Sequence, residues 1–294
     1  MLNSSLFDAI PGVLDVAAPR VAPICVVYDS PHSGVDLPAG FHPSVSADMV
    51  LKATDTHVDA LFDNAPATGA PLLRALFPRS FLDVNRAESD VDVEMLDAPW
   101  PHPVLGSAAA KRGMGLAWRF AWGDTLMHDV PISVAEMEAR IATYWQPYHQ
   151  RVAALIDGVH AKFGQVYHVD CHSMPAFGHA LSPDPAGTRR PDFVIGDFDG
   201  QTASPDFVAV VVDTLRAQGY EVALNNPFRG AELIRRYADP AKGRHSLQIE
   251  VNRALYMDED TRARSGDFAA VKANLDRLTE EIAAFAKARM AAAV

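Results

Sequence analysis

Pro78-Arg-Ser-Phe-Leu-Asp-Val-Asn-Arg86 is an apolar run that ends in charge. Phe81, Leu82 and Val84 suit a buried strand, which puts Asp83, Asn85 and Arg86 where that strand stops. In an open α/β sheet the ligand crevice lies beyond the C-terminal ends of the strands. A guanidinium at such a place can hold a carboxylate with two parallel hydrogen bonds, each worth about 1.5–3 kcal/mol when charge is involved. An arginine that merely caps a loop would look the same in this stretch, so the surrounding chain has to decide between the two.

Outward from this stretch, strands and helices alternate. Residues 22–28 are a short apolar run rich in β-branched side chains that delivers the polar loop Asp29-Ser-Pro-His-Ser-Gly34. Residues 48–64 carry Met49, Leu51, Val58, Leu61 and Phe62 around a polar middle, which suits an irregular helix. Residues 72–84 read as two strands broken near Phe77-Pro78. Ser133 opens the clearest helix. Ser133 and Glu136 have capping-box spacing, apolar positions recur every three or four residues from Met137 to Phe163, Pro147 kinks the run and Gly164 stops it. Strands are expected at 166–171, 192–198, 220–224 and 246–251. A helix fills 205–218, and a long C-terminal one is marked by Phe268, Val271, Leu275, Leu278, Ile282 and Phe285. The alternation predicts an α/β fold of three α/β/α layers, with residues 1–294 as one domain. Residues 87–131 break the pattern, with acidic residues, prolines, glycines and aromatics at no sustained period. A long irregular stretch in a compact domain usually serves function. This one reads as an insertion near the site, a flap.

Composition narrows the function classes. The 294 residues are 49% hydrophobic, enough for a full core, and the formal net charge is −11. That charge argues against nucleic acid or an anionic membrane surface as the main partner, while leaving an anionic small-molecule substrate open. Cys25 and Cys171 lie in apolar runs and read as buried free thiols, which fits a cytoplasmic setting. No basic-then-apolar leader opens the chain, and no apolar run approaches the length of a membrane span.

His32, the Asp83-Asn85-Arg86 group, His172 and Glu250 all fall near expected strand ends. One histidine after a strand is more often a hydrogen-bonded loop residue than a ligand. Four such coincidences gathered at one edge of a sheet are harder to explain as structure. His32, His172 and an acidic residue make a His₂–carboxylate set of the kind that binds catalytic zinc and leaves a coordination position open. For the carboxylate, Asp36 is close to His32, Asp55 sits in Thr54-Asp-Thr-His57, and His57 is itself a possible ligand or support.

Taken together, SPHSG, PRSFLDVNR, DCHSM, LNNPFRGAELIRRYADP and LQIEVNRALYMDE resemble the N-formylglutamate amidohydrolase (N-formylglutamate deformylase) family, from about residue 22 to residue 290. That family is similar to zinc carboxypeptidases and aspartoacylases, so the resemblance implies a mixed, mostly parallel central sheet. It implies one divalent metal, zinc first with cobalt, nickel or iron as alternatives, held by His32, Asp55 and His172. Three residues after His32 stands Val35 where carboxypeptidases have glutamate, and the resemblance points to Asp55 in preference to Asp36. It makes Glu250 the general base that activates the metal's water, Arg79 a partner of the developing oxyanion, and Asn85 with Arg86 the grip on a substrate carboxylate. Arg229 and Arg253 are further carboxylate contacts. The implied reaction is hydrolysis of N-formyl-L-glutamate to glutamate and formate, as in histidine degradation. Two rival readings are an N-acyl amino acid hydrolase or carboxypeptidase acting on another acidic or small amide, and a binding protein without turnover.

Overall fold

Residues 3–292 are described by a computed structural model. The strands are β1 (Leu14–Ala17), β2 (Val26–Ser30), β3 (Leu72–Ala75), β4 (Phe120–Trp122), β5 (Thr125–Leu126), β6 (Val166–Met174), β7 (Phe193–Gly196), β8 (Val222–Leu224) and β9 (Arg244–Asn252). Seven of them form one sheet in the order β1-β3-β2-β6-β9-β7-β8, while β4 and β5 make a separate hairpin. β6 and β9 pair in parallel along their full lengths at the centre, and β2 and β3 continue the parallel set. The β1–β3 and β7–β9 pairs are antiparallel, so the sheet is mixed and mostly parallel.

Successive side chains of a strand point to opposite faces, and β6 shows what covers each. Tyr167 packs on Phe207 and Phe285, from the Pro205–Ala217 and Phe268–Ala292 helices. His168, one residue on, meets Asp29 at 2.9 Å, and Asp29 accepts from Tyr148 of the Gln146–Phe163 helix. Helices therefore cover both faces, giving the three expected layers. All nine residues of β6 are buried, as a central parallel strand requires. Cys25 and Cys171 are buried free thiols.

The helix opened by Ser133 starts as its sequence implies: the Ser133 hydroxyl accepts from the Glu136 N–H, and Gly164 ends the run at φ 73°. The expected kink at Pro147 takes the form of a π-helical turn at Ile141–Trp145 between two α-helical segments. Proline's ring collides with the carbonyl four residues back in a regular helix, and a wider turn relieves this.

Residues 78–86 are not a strand. β3 stops at Ala75, and turns follow. Phe81 N–H donates to the Pro78 carbonyl at 3.0 Å, while the Asp83 carboxylate and carbonyl accept from Asn85 N–H and Arg86 N–H. Phe81, Leu82 and Val84 are buried nonetheless. Adjacent Phe81 and Leu82 being buried together is what a tucked-in turn allows, and an apolar run cannot distinguish the two conformations. The 48–64 stretch is two short helices, Ala47–Leu51 and Val58–Leu61, parted at the polar middle. β6 runs further than expected, to Met174, so His172 sits within the strand and not after it, while Glu250 lies inside β9 as its expected strand implied. Residues 87–131 contain the Val93–Met95 helical turn, the Ala108–Lys111 helix and the β4–β5 hairpin. Among the described residues no helix is long and apolar enough to cross a membrane.

Candidate active site

The turn after β2 carries His32. Two residues on, a Cβ at Gly34 would lie 2.3 Å from the Leu76 carbonyl carbon, so only glycine lets this loop press against the end of β3. Asp55 sits in the break between the two short helices, where its N–H donates to the His32 carbonyl at 2.9 Å. Ser33 fastens the same junction: its hydroxyl donates to the Asp55 carbonyl and accepts from Asp59 N–H, both at 3.1 Å.

These connections bring three donor atoms together. His32 Nδ1 and His172 Nδ1 are 3.1 Å apart, and Asp55 Oδ2 lies 3.0 Å from the second and 3.5 Å from the first. Zinc–ligand bonds of roughly 2.0–2.1 Å in tetrahedral geometry put ligand atoms about 3.3 Å from one another. The spacing and the donor set therefore fit one divalent ion. The far nitrogen of each ring faces a carboxylate: His32 Nε2 is 2.7 Å from Asp83 Oδ1, and His172 Nε2 is 2.7 Å from Asp170 Oδ1. The first is a hydrogen bond. The second is an ion-pair contact. Both arrangements turn Nδ1 toward the shared point, the usual way a metal-binding imidazole is oriented. Burial alone would push the Asp55 carboxyl up. Hydrogen bonds from His172 and His32, with the charges of Arg79 and Arg253, hold it well below the ordinary range and keep it anionic.

Glu250 lies opposite His172 in the β6–β9 register, on the same face. It is 7% exposed and accepts from Gln248 Nε2 at 2.7 Å. Burial pushes its carboxyl above the usual range, opposed by His172 and helped by Asp55. Both Glu250 and His172 line a cavity of about 290 Å³. Among the described residues six arginines line it as well, and Glu250 is the one carboxylate in its wall. In a chain of net charge −11, that local excess of guanidinium is suited to an anionic ligand.

The arginines differ in what they already hold. Arg79 pairs with Asp83 at 3.0 Å and Asp55 at 3.6 Å, and stacks 5.3 Å over Trp118. Arg253 gives its guanidinium to Asp55 Oδ1 at 2.8 Å, to the Ser173 hydroxyl and to the Lys52 and Ala53 carbonyls. It holds the Asp55 carboxylate in place and has little left to offer a ligand. Arg229 is 57% exposed at the mouth, 3.5 Å from Asp199. Among the described residues Arg86 donates only to the Met114 and Asn85 carbonyls. Asn85 is buried, with Oδ1 accepting from Leu233 N–H and Nδ2 near Asp170 and His172. It supports the histidine side of the site as well as lining the cavity.

Asp36 is on the surface, its N–H bonded to the Leu76 carbonyl, and His57 turns away toward the Arg262 carbonyl at 3.0 Å. Neither belongs to the three-atom cluster. Asp170 and Gln248 were missed from the sequence. Each stands two residues before a residue already singled out, His172 or Glu250, and the period of two places it on the same face.

Residues 24–257 match the family described as N-formylglutamate amidohydrolase. An N-formylglutamate deformylase of Pseudomonas aeruginosa is 30% identical over 281 residues, covering 90% of this chain and 95% of that one. One of Pseudomonas putida is 28% identical over 240 residues, covering 80% and 82%. The crystal structure of an N-formylglutamate amidohydrolase from Ralstonia eutropha JMP134 matches with a TM-score of 0.91 at 39% identity, over 94% of this chain and 99% of that one. A gene product of Agrobacterium tumefaciens, 20% identical over 94% and 96% of the two chains with a TM-score of 0.64, has the same fold.

Proposed function

The chain belongs to the N-formylglutamate amidohydrolase family, and from that premise we propose that it hydrolyses N-formyl-L-glutamate to L-glutamate and formate. His32, Asp55 and His172 would hold a divalent metal, with zinc the best fit and cobalt, nickel or iron also compatible with imidazole and carboxylate donors. Such an ion supplies a Lewis acid that polarises the formyl carbonyl and eases deprotonation of water. Glu250 takes a proton from the attacking water and passes it to the amine nitrogen as the C–N bond breaks, a role worth about 10²–10⁴-fold. Its elevated pKa, caused first by burial, suits a group that must both accept and release a proton.

Arg79, paired with Asp55 and Asp83, brings positive charge to the cavity, where an oxyanion would form. Arg86 grips a glutamate carboxylate. A formyl group offers almost nothing to hold, so alignment has to come from the glutamate portion. The observation that carries this reading is the tetrahedral spacing of the three donor atoms beside a buried glutamate in an arginine-lined cavity. One main hydrophobic core supports a single amidohydrolase domain over residues 1–294, with the 87–131 segment walling the cavity. Two buried thiols fit the reducing cytoplasm, where histidine degradation would supply this substrate.

The test is formate release from N-formyl-Glu, N-formyl-Asp, N-acetyl-Glu and a dipeptide, with metal analysis of the same sample. N-formyl-Glu should be hydrolysed fastest by protein carrying about one metal per chain. Acetate release or peptide cleavage as the faster reaction would establish the wider N-acyl hydrolase or carboxypeptidase reading instead. No turnover of any substrate by metal-loaded protein would leave a binding protein.

A further inference from the structure

Among the six cavity arginines, Arg79, Arg190, Arg229 and Arg253 each have a carboxylate partner within 4.0 Å. Arg86 and Arg112 are the exceptions: among the described residues neither is in an ion pair. Arg86 Nε donates to the Met114 carbonyl at 3.1 Å, and Arg112 Nε donates to the Leu181 carbonyl at 3.1 Å. Arg112 makes no other side-chain hydrogen bond to the described residues, so its two terminal nitrogens are unspent. It lies in the irregular 87–131 segment and Leu181 in the 175–190 loop, so one bond ties the outer walls together. Both arginines line the same cavity, and burial, with the charge of Arg86, pushes Arg112 below the usual arginine range.

Neither half-buried guanidinium has a carboxylate within 4.0 Å among the described residues, and a ligand carrying two carboxylates would supply a partner to both. The two positions differ. Arg86 follows Asn85, which contacts the His172 ring at Nε2, so its backbone lies beside the strand that carries His172. Arg112 hangs from the outer segments. In an N-acyl dicarboxylic amino acid the α-carboxylate is one carbon from the scissile amide nitrogen, and the side-chain carboxylate is further out.

We propose that Arg112 is a specificity-determining residue that binds the side-chain carboxylate of the substrate while Arg86 binds the α-carboxylate, so that the cavity selects dicarboxylic N-acyl amino acids. This rests on the reading that the substrate is such an amide. Its new content is the role of Arg112 and the division of labour between the two arginines.

The experiment compares wild type, Arg112→Met and Arg112→Lys, all metal-loaded, for formate release from N-formyl-L-glutamate and N-formyl-L-glutamine. Binding of L-glutamate and L-glutamine is measured calorimetrically alongside. Removing a charged hydrogen-bonding partner should cut kcat/KM for N-formylglutamate about 10–100-fold in Arg112→Met. The loss on N-formylglutamine should be much smaller, so the preference between the two collapses. Arg112→Lys should recover part of the loss, because charge returns without the planar fork. A loss of equal size on both substrates, or a Glu/Gln preference within twofold of wild type in both turnover and binding, overturns the proposal. If wild type releases no formate while glutamate binding still depends on Arg112, the deformylase reading fails and the carboxylate assignment stands.

Discussion

Replacing Glu250 with glutamine separates chemistry from binding. The side chain keeps its volume, so no cavity opens around a residue that is 7% exposed. Its amide oxygen can still accept from Gln248 Nε2, now at 2.7 Å from Oε1. What is lost is a group able to take the proton of water at neutral pH. The rate of formate release should fall about 10²–10⁴-fold, which corresponds to roughly 2.7–5.4 kcal/mol in the barrier. Substrate affinity should change little. The competing view makes Glu250 a buried counter-ion of Arg253, and breaking such a pair costs about 3–5 kcal/mol of stability. The structure argues against that outcome, because Arg253 is committed to Asp55 at 2.8 Å. Asp55 is also one of the groups that push the Glu250 carboxyl up, so removing the second negative charge should not destabilise the fold. Formate release, metal content and a melting curve on one Glu250→Gln sample decide the matter. A folded, metal-loaded variant that turned over at the wild-type rate would falsify the mechanism.

Three other outcomes are expected. Arg86→Ala should lower kcat/KM about 10–100-fold through lost carboxylate binding, and Arg86→Lys should restore only part of it; unchanged kinetics would remove Arg86 from the site. Asp83→Asn and Asp170→Asn should each weaken metal affinity about 10–100-fold, read by competition with a chelator, and affinity equal to wild type would show that these carboxylates do not orient the rings. His149 offers a pH test: its Nε2–H donates to the Val84 carbonyl at 2.8 Å, and burial pushes its pKa down to about 3. The unfolded chain, with a histidine pKa near 6.5, binds the extra proton first as pH falls, so this group's stabilisation is present above about 6.5 and lost progressively toward 3. By pH 5 that is about 2 kcal/mol. Denaturant midpoints of wild type and His149→Gln should converge between pH 7 and pH 5, and parallel pH profiles would refute the assignment.

The sequence by itself determined the alternation of strands and helices, the cap at Ser133 and the stop at Gly164; it singled out His32 and His172 but left Asp36, Asp55 and His57 open beside them, and only the family resemblance pointed to Asp55. Each of these is local or follows from the motif residues themselves, since burial periodicity, caps and turn residues act over a few positions. The turn at residues 78–86 was not legible. Its apolar residues are buried as a strand's would be, and the bonds that fold it back run partly to Leu116. The tertiary structure alone decided which arginines are free. Arg253 stands 198 residues from the Asp55 it holds, and Arg112 is 69 from the Leu181 carbonyl that fixes it. An arginine's chemistry in a cavity depends on whether a counter-ion has already claimed it. Charge pairing is a matter of distance in space, and side chains that come together only when the sheet closes leave no periodic trace along the chain.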